Sequence, residues 1–168
     1  MRAALCARRG VGVLALWALV CLLTGCVLPA REQPGAVRAE VIARLGPPTA
    51  TIALPSGERL LYSELPAGFA AYNLDFDASG RLVRNEQVLT HQRFESLPVG
   101  SWIRADLQNT FGMPLRVEQV ARFDGDIWTY RFRQNSDLRQ AHVHLDRQGV
   151  VRQVLFTDEL PNFDNARD

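Results

Sequence analysis

Arg38-Ala39-Glu40-Val41-Ile42-Ala43-Arg44-Leu45-Gly46-Pro47-Pro48 is matched downstream by Arg104-Ala105-Asp106-Leu107-Gln108-Asn109-Thr110-Phe111-Gly112-Met113-Pro114, and this doubled stretch decides the fold. The leading Arg and Ala, the Gly and the final Pro are identical. Acid stands against acid at Glu40 and Asp106, and apolar against apolar at Val41 and Leu107 and at Leu45 and Phe111. Each copy reads as a short amphipathic helix, with Val41, Ile42 and Leu45 as the apolar stripe of the first and Leu107 and Phe111 as that of the second. Gly46 and Gly112 suit the left-handed position just past a helix end, and the Pro beyond prevents the helix from continuing.

Outward from the helices the likeness persists. Tyr72-Asn73-Leu74-Asp75-Phe76-Asp77-Ala78-Ser79-Gly80 is echoed by Ala141-His142-Val143-His144-Leu145-Asp146-Arg147-Gln148-Gly149, with a few extra residues before it in the second copy. Both stretches alternate with period two, as a half-buried strand does. Tyr72, Leu74 and Phe76 face one way, as do Ala141, Val143 and Leu145. Each stretch ends in Asp-x-x-Gly, a turn in which Gly supplies positive φ, and each turn is followed by another strand, over 81–89 and 150–156. Between helix and turn lies a hairpin. In the first copy 51–54 and 59–63 flank Pro55-Ser56-Gly57. In the second 116–123 and 127–133 flank Asp124-Gly125-Asp126. Trp128, Tyr130 and Phe132 share the core face of the last strand, and Thr129, Arg131 and Arg133 share the other. A short helix over 91–97 precedes the second copy and has no counterpart in the first. The expected fold is therefore α+β: two tandem repeats, over 36–90 and 91–160, each a short helical segment followed by an antiparallel sheet of about four strands. Residues 161–168 read as a polar tail.

The 168 residues carry a formal charge of +1 and are 47% hydrophobic. That charge is too small for a nucleic-acid binder. Much of the apolar content lies in residues 1–25, where Arg2, Arg8 and Arg9 precede the apolar run Val11-Gly12-Val13-Leu14-Ala15-Leu16-Trp17-Ala18-Leu19-Val20-Cys21-Leu22-Leu23. The run is shorter than the ~20 residues a membrane-spanning helix needs and has the proportions of a secretory signal. It ends in Leu23-Thr24-Gly25-Cys26, which resembles the bacterial lipobox. That resemblance implies cleavage before Cys26, a diacylglycerol on its thiol and an acylated amine, with residues 26–35 as a lipidated linker. Several acyl chains exceed what stable anchoring requires. Val27, rather than Asp, after the Cys implies the outer membrane by the same resemblance. Loss of Arg2, Arg8 and Arg9 with no acid turns the charge of +1 into −2. Cys6 and Cys21 leave with the signal, so no thiol remains for a disulfide or for catalysis.

Phe94-x-x-Leu97-x-x-Gly100, Ala105-Asp106-Leu107, Phe111-Gly112-Met113-Pro114, Trp128-x-Tyr130 and Leu145-Asp146-x-x-Gly149-Val150-Val151 together resemble the SmpA/OmlA unit of the BamE family of outer-membrane lipoproteins. The resemblance covers residues 91–156 well and 36–89 more loosely. It departs from the family in having two units instead of one, and in Gly100-Ser101-Trp102 where Gly-Met-Thr is usual. It implies a periplasm-facing protein anchored in the outer-membrane bilayer, partnered by envelope proteins such as the β-barrel assembly machinery. Tandem units of this shape also resemble the β-lactamase-inhibitor-protein architecture, which lays a concave sheet on its target.

The residues offer little for catalysis. His142-x-His144 puts two imidazoles on one strand face, a spacing able to bind metal, but no third ligand is fixed nearby, and no metal or other cofactor is expected beyond the lipid on Cys26. There is no Gly-x-Ser-x-Gly elbow, no phosphate loop and no His-Glu-x-x-His. Asp75 with Asp77, and Asp124 with Asp126, read as solubility and turn residues, the first pair on a solvated strand face. The expectation is a non-enzyme. Its candidate partner surface is the face carrying Arg131, Arg133, His142 and His144, opposite in sign to Asn73, Asp75 and Asp77 of the first copy. Complementary charge would then select partners. The leading expectation is an interaction or scaffold module in envelope assembly. The alternatives are an inhibitory module with an unrelated periplasmic target, and a hydrolytic or metal-dependent enzyme using His142 and His144.

Overall fold

The computed structural model describes residues 28–159. The expected signal over 1–25, the expected lipid site Cys26 and the expected polar tail over 161–168 lie outside the described residues. Eight strands form two separate four-stranded antiparallel meanders. Sheet 1 runs β1 (Ala50–Leu54), β2 (Gly57–Ser63), β3 (Ala71–Asp77), β4 (Leu82–Gln87), and sheet 2 runs β5 (Arg116–Val120), β6 (Phe123–Gln134), β7 (Asp137–Asp146), β8 (Val151–Asp158). Three short helices accompany them: α1 (Arg38–Leu45), α2 (His91–Glu95) and α3 (Arg104–Phe111). The architecture is α+β with two repeated units.

The repeat is visible in its contacts as well as its sequence. Gly46 and Gly112 end α1 and α3 at φ of 82° and 81°. The first-turn amides of Arg38 and Arg104 donate to Gly80 and Gly149, the glycines of the two Asp-x-x-Gly turns, both at 3.0 Å. Each helix start is thus capped by its own unit's turn, which replaces the side-chain cap that Val37 and Ile103 cannot provide. Tyr62 and Tyr130 donate their hydroxyls to the carbonyls of Gly46 and Gly112, at 3.0 and 3.2 Å. Arg38 pairs with Glu58, and Arg104 with Asp126.

The layers follow from which face each residue occupies. Val41 of α1 packs on Leu60, Tyr62, Leu74, Phe76 and Leu82, on one face of sheet 1. The other face, with Leu61 and Ala71, joins a larger core that holds Phe94 of α2, Leu107 and Phe111 of α3, and Trp128, Tyr130, Phe132, Val143 and Leu145 of sheet 2. The order is α1, sheet 1, α2 with α3, sheet 2. The end of α3 sits directly on sheet 1: Asn73 donates to the Thr110 carbonyl at 3.1 Å, and a Cβ on Gly112 would lie 3.3 Å from Leu61 Cδ2.

Four expectations are corrected. Asp124-Gly125-Asp126 is not a turn but part of β6, and the chain reverses at Ala121 and Arg122. Gly125 is there because Asp146 and Leu145 pass so close that a Cβ would fall 2.0 Å from the Leu145 carbonyl oxygen, as it would 2.0 Å from that of Phe76 at Gly57. Val88 and Leu89, read as the end of a strand, leave β4 and turn into the core. The helix expected over 91–97 stops at Glu95, its start capped by the Thr90 hydroxyl, which accepts from Arg93 N–H at 3.2 Å. The described part of the linker, 28–35, is packed: it forms a 3-10 turn (Pro29–Arg31), and buried Glu32 takes a bidentate bond from Arg44 at 3.1 and 2.6 Å.

Candidate protein-interaction face

Sheet 2 has one face on the core and one free of helices among the described residues. Alternation along β6 and β7 puts Ile127, Thr129, Arg131 and Arg133, with Gln140, His142 and His144, on that outer face. The register sets Thr129 opposite His142, Ile127 opposite His144 and Arg131 opposite Gln140. On β5, Arg116 lies beside Thr129, and on β8, Leu155 lies beside His142. The four residues expected to make a partner surface therefore do share one face.

Their environments differ. His142 is held at both nitrogens, Nδ1 at 3.0 Å from Thr129 Oγ1 and Nε2 at 2.8 Å from Thr157 Oγ1. A neutral imidazole has one donor and one acceptor nitrogen, and two hydroxyls can rotate to match either tautomer. Burial, and after it the charge of Arg116, hold His142 below the ordinary imidazole range, against a smaller opposing pull from Glu118. Burial does the same for His144, whose ring meets Phe123 edge-on at 4.9 Å between centroids. Both rings are thus neutral at pH 7. At these positions the face presents neutral rings instead of positive charge, His142 with both nitrogens already bonded.

Arg131 is not a free cation. Its Nε lies 3.1 Å from Glu159 Oε2, and its guanidinium lies 4.2 Å from the Phe69 ring centroid. Phe69 belongs to the loop joining β2 to β3, so this stacking ties the first unit to the second. Arg133, exposed, stands 5.3 Å from the same ring. Of the four expected residues, Arg133 and His144 are the more available to a partner. Thr129, Thr157, Phe123 and Phe69 also shape the face. Alternation places Thr129 on this face from the sequence, whereas Phe69 is brought in by a loop that carries no periodic signal.

The matching face of the first copy is not a solvated counterpart. Asn73 and Asp75 are buried, Asn73 against α3 and Asp75 in a bidentate pair with Arg59 at 2.6 and 2.9 Å. Asp77 does serve its turn, accepting from Ser79 and Arg81 N–H at 2.9 and 3.0 Å. The expected opposition of charge between two open faces is not found, because α3 covers one of them. Asp124 and Asp126 likewise have partners, Arg147 at 2.5 Å and Arg104. The cleft they line with Gln119 has a smaller twin in the first unit beside Glu58 and Asp77. Its presence in both units, beside the equivalent Gly57 and Gly125, marks it as repeat architecture. Among the described residues no three His, Cys, Asp or Glu side chains converge as a metal site, and a metal on His142 would have to displace one of its two threonine bonds.

No protein-family model matches the chain, and no curated protein matches it. Among solved structures it is similar to a DUF4309 family protein, YjgB, from Bacillus subtilis subsp. subtilis str. 168, with 17% identity, 74% of this chain and 79% of that chain covered, and a TM-score of 0.32. A likeness that distant decides neither fold nor function.

Proposed function

We propose that this protein is a non-catalytic, BamE-like lipoprotein, anchored through Cys26 in the outer membrane and facing the periplasm. It binds an envelope protein through the outer face of sheet 2 and acts as a scaffold in outer-membrane protein assembly. The observation that carries the binding role is the unequal treatment of two equivalent faces. The face of sheet 1 bearing Leu61 and Asn73 receives α3, whereas its counterpart, bearing Thr129 and His142, receives no helix of the described residues. Leu23-Thr24-Gly25-Cys26 supports the anchor.

Crosslinking capture of the lipidated chain from its own envelope tests this, with Arg133→Glu/His144→Glu as the comparison. Arg131 is left intact because it holds Glu159. Barrel-assembly components captured by the parent chain and lost with the double variant support the reading. Capture of one soluble periplasmic enzyme instead would favour the inhibitory alternative. Equal capture by parent and variant removes sheet 2 as the binding face.

A further inference from the structure

We infer that the β4 edge of sheet 1, with the segment 28–36 laid along it, is the surface that rests on the bilayer. This inference depends on the lipid anchor proposed at Cys26. Its argument is the length of chain between the anchor and the folded body. From Pro29 onward the backbone is fastened to β4. Asn85 Nδ2 donates to the carbonyls of Pro29 and Glu32 at 2.8 and 3.0 Å, Gly35 N–H donates to Leu82 O at 2.7 Å, and Leu82 N–H donates to Ala36 O at 2.9 Å. Consecutive Cα atoms are about 3.8 Å apart, so Cys26 lies within about 11 Å of Pro29 whatever path the chain takes. A long stalk would let the body turn freely above the membrane, whereas with only Val27 and Leu28 between Cys26 and Pro29 the anchor keeps the β4 edge near the bilayer.

The chemistry of this edge suits a lipid interface. Leu28 and Val83 are large apolar side chains at 44% and 56% exposure. Arg31, a few residues along the chain from Leu28, and Arg84, next to Val83, are exposed and long enough to leave their stems in the apolar layer and their guanidiniums among the headgroups. Arg84 is paired with Glu86 at 2.7 Å and Arg44 with Glu32 at 2.6 Å. Arg31 and Arg81 on the same edge have no carboxylate partner among the described ion pairs, so the edge is mildly positive, a charge that the phosphates of zwitterionic headgroups can accept. The opposite edge of the same sheet is β1, three strand spacings away, or about 14 Å. That is enough to place one edge at the headgroups and the other in water.

The test uses the full lipidated chain in phosphatidylcholine vesicles containing a headgroup nitroxide lipid. With the signal removed and the Cys26 thiol acylated, one introduced cysteine is the sole labelling site. A fluorophore is placed at Val83→Cys or, as the control, at Ala53→Cys on β1, both exposed positions. Quenching is expected at residue 83 and not at residue 53. A ten-residue Gly/Ser insertion after Val27, with a mean span of about 17 Å, should bring the two sites close to equality. Equal quenching without the insertion, or stronger quenching at residue 53, overturns the orientation alone. Failure of Cys26 to incorporate labelled acyl chains overturns the anchor and the orientation with it.

Discussion

Replacing Leu61 by Ala tests the layered architecture directly. Leu61 lies on the face of sheet 1 turned away from α1, where a free-standing first unit would leave it in water. It is instead fully buried, in one core with Phe94 and Phe111 of the second unit. An exposed Leu→Ala change costs at most about 0.5 kcal/mol. A buried one costs about 2–5 kcal/mol, because the transfer free energy is lost and a cavity remains. With a urea dependence of about 2 kcal/mol/M, a loss of about 3 kcal/mol lowers the unfolding midpoint by about 1.5 M. The assay has a built-in reporter. Of the three Trp residues, Trp17 lies in the segment proposed to be cleaved as a signal, and Trp102 and Trp128 both belong to the second unit. Tryptophan fluorescence therefore follows the second unit while the mutation sits in the first. If the units share a core, the tryptophan transition moves by the full amount and coincides with the loss of circular dichroism. A tryptophan transition unmoved by Leu61→Ala would show that the units fold independently, and the stacking of α3 on sheet 1 would have to be abandoned.

Other changes have equally definite expectations. Tyr130→Phe strips the buried Gly112 carbonyl of its bond at 3.2 Å and should cost about 1–2 kcal/mol in urea melts; a variant as stable as the parent would show that this bond contributes nothing. Phe69→Ala removes the ring under Arg131 and Arg133, with an expected loss of about 1 kcal/mol and faster amide exchange over 64–70, and unchanged exchange there would exclude the clasp. His142 and His144 have imidazole values lowered chiefly by burial. The unfolded chain then binds protons first as pH falls, so their contribution is complete above the unfolded value of about 6.5 and declines below it through the lower folded values. Melts from pH 7.5 to 5 should show that decline. It should flatten in His142→Gln/His144→Gln, and it should be separate from the acid loss below about pH 4 set by Asp77 and Asp146, whose backbone and side-chain bonds lower them. An identical slope in the double variant would assign the decline elsewhere.

Much of this fold can be read from the sequence, because its landmarks are local. Gly46 and Gly112 stop helices by their own backbone freedom, and alternation from Trp128 to Phe132 assigns both faces of a strand without reference to anything else. What lies on each face is not local. Leu60-Leu61-Tyr62 is an unbroken apolar run where the second copy has Trp128-Thr129-Tyr130. A strand apolar on both sides is a strand covered on both sides, and that difference was the available signal for α3 on sheet 1. Asp124-Gly125-Asp126 has turn chemistry, yet Gly125 answers to a backbone passing beside it, and the β5–β6 turn lies at Ala121 and Arg122. The pairing of Arg131 with Glu159 joins positions far apart in the chain, and nothing in either residue type announces it.

The polarity of sheet 2's outer face has two physical explanations that make different demands. A stacked repeat must end in a polar surface or it would continue to stack, and for that purpose mobile charged side chains suffice. This face is built otherwise. Thr129 is fully buried, His142 is fixed between two hydroxyls, and Arg131 is clamped by Glu159 and Phe69. Fixing such groups costs side-chain entropy that a solvated cap has no reason to incur. A binding surface does have one, because side chains ordered in advance lose less freedom when a partner arrives. A neutral His142 with both nitrogens engaged offers a partner shape instead of charge. The order of the face, more than its polarity, is thus the argument for recognition. For the proposed partner the ordered groups set the shape of the face, and Arg133 and His144, least engaged with their own chain, are the residues left to bond with it.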